Sequence, residues 1–149
     1  MRSSVIISSL VGICLLCSGA VLAQGDRMAD DFTGSLETYF DNGNIESIQY
    51  YQDGQPEGPF KLFYVDGSLR EEGAYTDGMK DGKWSRWSET GVQLAEAHYH
   101  AGQKDGTWKI WDESGVLRYD MTYASDEKVS IWYMYDSESN LVSERNYDE

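Results

Sequence analysis

The chain has 149 residues, about one domain's worth, and carries 12 Lys and Arg against 26 Asp and Glu, a net charge of −14. That balance excludes a nucleic-acid binder, which needs a basic stripe to displace counterions from phosphates, and excludes docking on anionic lipid through charge alone. With 40% hydrophobic, 13% aromatic and only 26% charged residues the composition is that of a folded chain, and 15 Gly against 2 Pro say that its turns are made by glycine.

The first element in chain order is an export signal. Arg2 is a short positive region, Val5 to Ala23 is apolar with interspersed Ser and Gly, and Val21 and Ala23 stand at positions −3 and −1 of a cleavage before Gln24. Residues 1–23 are therefore expected to be removed and the chain to be periplasmic or extracellular. If residues 5–23 stay uncleaved, 19 mostly apolar residues are just long enough to span a bilayer and would hold the chain at the membrane. Cys14 and Cys17 follow Ile13 and Leu16, not the small residue that lipid attachment wants. Both cysteines lie inside the signal, so the mature chain has no disulfide and no thiol chemistry. Losing Arg2 leaves 11 basic against 26 acidic residues, a charge of −15. Residues 24–35 carry no repeat signature and are expected to form a flexible tether.

From residue 36 to 149 the chain repeats every 24 residues. Gly43, Gly67, Gly91 and Gly115 form one column, and Gly54, Gly78, Gly102 and Gly58, Gly82, Gly106 two more. Aromatic columns run through Tyr51, Tyr75, Tyr99, Tyr123, Tyr147, through Tyr39, Phe63, Trp87, Trp111, Tyr135, and through Phe60, Trp84, Trp108, Trp132. Each unit reads as an aromatic strand such as 84–88, a tight turn at Gly91, a second strand from Val92 to Tyr99, and a polar connection, residues 100–106, back to Trp108. The expectation is an all-β fold: an elongated antiparallel sheet of repeated β-hairpins, ten strands in about five units, its column aromatics stacking on one another as the core. Leu69, Leu117 and Leu141 share a column in which Gln93 replaces Leu, with Leu94 one later, and a bulge or a locally shifted side chain is expected there. The last unit is degenerate: Asp126, Ser130 and Ser139 replace glycines, and Asn140 is the expected stand-in at its turn. It reads as a terminal cap.

Candidate chemistry is sparse. Asp-Gly pairs at 53–54, 66–67, 77–78, 81–82 and 105–106 suit turns, and the spacing of a calcium loop is missing. His98 and His100 are the only histidines; two apart on a strand, they share a face, and a metal would need a third ligand such as Glu96. They read as polar residues on a solvated face. No nucleophile elbow and no phosphate-cradling glycine loop between strand and helix occurs. No catalytic residue, metal site or cofactor is expected. Aromatics outside the columns, Tyr64, Tyr119 and Tyr133, are the candidate partner-binding residues, and would serve a glycan as well as a protein.

The unit resembles the MORN-repeat variant family, most clearly in FYVDGSLREEGAYTDGMKDGKW at 63–84, again in YHAGQKDGTW at 99–108, and more weakly in YASDEKVSIW at 123–132. The resemblance implies a β-hairpin repeat sheet. Some bacterial members are similar to antitoxin-like components of the YwqK type, and other MORN repeats to membrane-proximal and scaffold modules. The functional expectation is a non-enzymatic, exported scaffold for a protein partner with a basic surface, possible forms being antitoxin-like neutralisation, a membrane-proximal envelope module or a glycan-binding sheet.

Overall fold

The computed structural model describes residues 4–8 and 31–148. They form one antiparallel sheet of eleven strands in sequence order: β1 (Ser4–Ser8), β2 (Gly34–Tyr39), β3 (Ile45–Gln52), β4 (Gln55–Phe63), β5 (Leu69–Thr76), β6 (Met79–Trp87), β7 (Gln93–His100), β8 (Gln103–Trp111), β9 (Leu117–Ala124), β10 (Glu127–Tyr135) and β11 (Leu141–Asn146). The all-β sheet of consecutive hairpins is the architecture the 24-residue period requires. Strands β2 to β11 are the expected ten. The eleventh, β1, lies in the expected export segment, of which only Ser4–Ser8 falls within the described residues.

Two kinds of turn alternate. Odd-numbered strands from β3 to β9 lead into the next strand through two-residue turns. At Asp53-Gly54, Asp77-Gly78, Ala101-Gly102 and Ser125-Asp126 both residues have positive φ, which matches the right-handed twist of the flanking strands. Even-numbered strands from β2 to β10 lead on through loops such as 88–92, where Ser88 N–H donates to Val92 O and Gly91 N–H to Ser88 O. Gly91 takes φ +79° there, the G1-bulge arrangement of a three-residue hairpin loop.

The polar stretch 100–106 is not a connection. Only Ala101 and Gly102 turn; residues 103–106 begin β8, and Gly106 holds φ +100° at a bulge inside it. The same bulge recurs at Gly58 and Gly82, so these glycines are strand residues and the strands are longer than the sequence suggested. No bulge is peculiar to Gln93. It pairs with Trp87 just as Leu69 pairs with Phe63 and Leu117 with Trp111, each time with the same register shift. In the last loop Ser139, not Asn140, has positive φ (65°). Asn140 instead donates through its backbone and side chain to the Asp136 carboxylate. Of the expected tether, residues 24–30 lie outside the described residues, while at its end Phe32 packs edge-on against Tyr51 at 5.9 Å, Thr33 Oγ1 accepts from Asp53 N–H, and β2 starts at Gly34.

Among the described residues the sheet is a single layer with no second sheet or helix against it. Its best-buried residues are Trp84, Ala97, Gln49 and Ser85, with Trp84 only 3% exposed. Trp84, Ala97 and Gln49 belong to a stripe along one face, in which each unit is covered by its neighbours, and Ser85 lies on the other face.

Candidate functional site

That stripe is the aromatic face. The cross-strand row Gln49, Phe60, Gly73 meets Trp84, and from there runs Ala97, Trp108, Met121. Smaller or flexible residues separate the large rings. At Gly73 an added Cβ would lie 2.2 Å from Trp84 Cδ2, so the indole rests directly on that backbone. Within the column of Phe60, Trp84, Trp108 and Trp132, Phe60 and Trp84 stack as expected, at 5.5 Å, but beyond Trp84 the contacts alternate between the Trp and Tyr columns. Trp84 and Tyr99 are 6.4 Å apart, Tyr99 and Trp108 5.1 Å, Trp108 and Tyr123 5.4 Å, Tyr123 and Trp132 4.9 Å, Trp132 and Tyr147 4.8 Å. These edge-on and tilted pairs set positive ring edges against negative faces. Each indole N–H donates to a carbonyl ten residues earlier: Trp84 to Ala74, Trp108 to His98, Trp132 to Thr122. Partial burial pushes the Tyr75 and Tyr99 phenols above their ordinary range, because a phenolate would lose hydration there.

A further column went unread. Lys80, Lys104 and Lys128 are also 24 residues apart, and each ammonium sits over two rings of the ladder. Lys80 Nζ lies 3.7 Å from the Trp84 centroid and 5.3 Å from Tyr99; Lys104 is 4.9 Å from both Trp108 and Tyr123; Lys128 is 4.7 Å from Trp132 and 5.2 Å from Tyr147. At such distances a cation is attracted by the ring quadrupole. The next residues form a second unread column. Glu57 accepts from Asp77 N–H at 2.8 Å, Asp81 from Ala101 N–H at 3.0 Å, and Asp105 from Ser125 N–H at 3.2 Å. Beside each of these bonds a backbone bond joins the same turn to the same strand: Gly78 N–H to Pro56 O, Gly102 N–H to Lys80 O, Asp126 N–H to Lys104 O. The motif Lys-Asp-Gly-x-Trp at 80–84 and 104–108 thereby has a role for each named residue: a cation for the rings, a carboxylate for the next unit's turn, a positive φ for the bulge, and the ring itself. The carboxylates of Asp81 and Asp105 serve as structural caps. Among the described residues no three acidic, His or Cys side chains are grouped to hold a metal.

The opposite face carries the polar residues together with, by strand alternation, the Phe63, Trp87, Trp111, Tyr135 column. Its central row runs Lys61, Glu72, Ser85, Glu96, Lys109, Asp120, with Lys109 and Asp120 paired at 3.6 Å and Lys83 reaching Glu96 at 3.8 Å. The two histidines work separately. His98 Nδ1 lies 2.8 Å from Thr107 O on β8, whereas His100 Nδ1 lies 3.2 Å from Asp81 on β6.

The three candidate tyrosines are not brought together. Tyr64 follows β4, donates to Trp87 O at 2.8 Å, and carries the Arg70 guanidinium over its ring. It borders an open groove of about 510 Å³ with Ser88, Glu89, Thr90, Leu94 and Glu113. Tyr119 lies on the aromatic face of β9, opposite Ile110 and Met134, and is 43% exposed. Tyr133 is opposite Asp120 on β10, which by strand alternation puts it on the other face. The aromatic face holds a shallow depression of about 250 Å³ over Glu71, Lys80, Trp84, Arg86, Tyr99 and Trp108, at the small end of ligand pockets.

The MORN repeat variant family model matches this chain at residues 32–55 and 104–124. The first stretch covers β2, β3 and the turn after them, the second most of β8 and β9. The hairpins between them, including 63–84 where the resemblance is clearest to the eye, continue the same strand and turn geometry. No curated protein matches the chain. The matched repeats are generally modules that bind proteins or membranes, and are typically non-catalytic.

Proposed function

We propose that the chain is an exported, non-enzymatic repeat protein whose sheet binds another protein, one with a basic surface. The observation that carries this is the single layer. Among the described residues no second layer covers either face, and apolar side chains stay exposed along the sheet, among them Met79, Tyr119, Ile131, Leu141 and Val142. The charge of −15 after cleavage selects a basic partner and speeds its approach. An antitoxin-like role is the form this takes if the partner is a basic toxin. Membrane attachment arises only if residues 5–23 are retained. The exported protein is expected to have the intact mass of residues 24–149; a full-length mass in the membrane fraction would overturn export by cleavage. The binding test is capture from an envelope extract on the exported chain, beside a polysaccharide resin. A protein retained at low salt and released at high salt is expected. Retention on the polysaccharide that is lost with Tyr133→Ala would replace the protein reading with a glycan one.

A further inference from the structure

We propose that the outer edge of β2 is a strand-docking site, uncovered when the export segment is removed and filled by one short, uncharged, β-branched strand of the partner protein. This rests on the exported, protein-binding reading above and adds where and how the partner attaches.

In the 24-residue register β2 is equivalent to β4, β6, β8 and β10, Gly34 to Tyr39 matching Gly58 to Phe63. Each of those strands lies between two others. The outer neighbour of β2 is β1, paired antiparallel from Ser4↔Tyr39 through Ile6↔Glu37 to Ser8↔Ser35. All five residues of β1 precede the cleavage expected before Gln24. Cleavage thus removes a whole strand and leaves the N–H and C=O groups along one side of β2 without their ladder.

The two ends of the sheet differ in how they handle this hazard. β11 carries Glu144 and Arg145 among wholly exposed residues. The chain beyond it turns back on β10, Tyr147 N–H donating to Ser130 O and Asp148 accepting from Ser130 N–H. β2, with sequence GSLETY, has one charge and no proline.

Three occupants compete for the freed edge. Residues 24–30, QGDRMAD, hold a glycine and three charges in seven positions, poor strand sequence beside the SVIIS they would replace. A second copy would bring −15 against −15. A partner strand like SVIIS with basic flanks meets neither objection, and is the β-augmentation mode in which main-chain bonds supply affinity.

The probe is a labelled peptide of residues 2–10, RSSVIISSL, titrated into the exported chain and into the full-length chain. Saturable binding to the exported chain alone is expected, with exchange of β2 amides slowed by roughly tenfold or more. An Ile6→Pro peptide, lacking one N–H and disfavoured inside a strand, should bind at least about tenfold more weakly. No binding to the exported chain, equal binding by the Ile6→Pro peptide, or equal binding to the full-length chain would each overturn the proposal. Intact mass of the same preparation separates the two levels. Retained residues 1–23 defeat both uncovering and export by cleavage, whereas salt-sensitive capture of a protein without peptide binding leaves the protein-binding reading standing and removes this one.

Discussion

Gly73 and Gly91 are glycines for opposite reasons. Gly91 has φ +79° and nothing within 4 Å of where a Cβ would sit, so only its backbone conformation matters. Gly91→Val is expected to cost about 1–3 kcal/mol through strain, and Gly91→Asn much less because Asn tolerates the left-handed region. Urea melts of the two variants check this, and equal stabilities would mean that the loop does not need positive φ. Ser139 at φ 65° shows the column accepting a small polar residue. Gly73 has no such φ, but its Cβ would collide with the Trp84 ring. Gly73→Ala should therefore destabilise by about 1–3 kcal/mol as overpacking, seen in the same melts. The first glycine was legible because a positive φ asks for the same residue type in every unit. The second was not: its column reads Gln49, Gly73, Ala97, Met121, Arg145, since each residue is fitted to the ring beside it. Trp84 is the anchor of the ladder. Trp84→Ala should lose about 3–5 kcal/mol, and the less buried Trp108→Ala less than that. An equal or larger loss at Trp108 would mean that the ladder is not centred where the burial places it.

At the scale of the hairpin, the carboxylates at the loops predict an acid sensitivity. Asp112 accepts from the backbone N–H groups of Val116 and Ser114 and faces Arg118; Asp136 accepts from Asn140 and Glu138. In Asp66 the Ser68 hydroxyl and N–H do the same. All three are held below the ordinary carboxylate value of 3.8, because bonds to donors favour the ionised form. A lowered folded value means that these groups bind fewer protons folded than unfolded. Their contribution is complete above pH 3.8 and is lost as the pH falls below it through the folded values. Loop amides around 112–116 and 136–140 should accordingly lose protection, relative to their intrinsic exchange rates, below that pH, and Asp136→Asn should flatten the response in its own loop. Strand existence was legible from aromatic periodicity, and strand ends were not. Residues 103–106 carry Lys, Asp and Gly, all poor strand formers, and they are held in the sheet by the rings beneath Lys104 and by the cap from Asp105. The same stretch hid the lysine column, whose period was present but fell within a segment read as connection.

For the whole molecule, the period implied an elongated sheet of ten strands, about 45 Å long at the usual spacing. It could not show that the described residues form one layer, since a repeat sets which strands pair and not what packs on the sheet. Nor could it show that Ser4–Ser8 would occupy the β2 edge, because that segment lies outside the repeat. The candidate tyrosines were chosen for falling outside the columns, yet Tyr64 is bound to the neighbouring unit and Tyr119 and Tyr133 face opposite ways. What remains is an acidic sheet, one layer thick among the described residues, for which we propose a basic partner. The direct test is the association rate of the exported chain with its captured partner as a function of ionic strength. The rate should fall by roughly tenfold or more between about 20 and 300 mM salt, as screening shortens the reach of the field. A rate unchanged over that range would contradict recognition led by the acidic sheet.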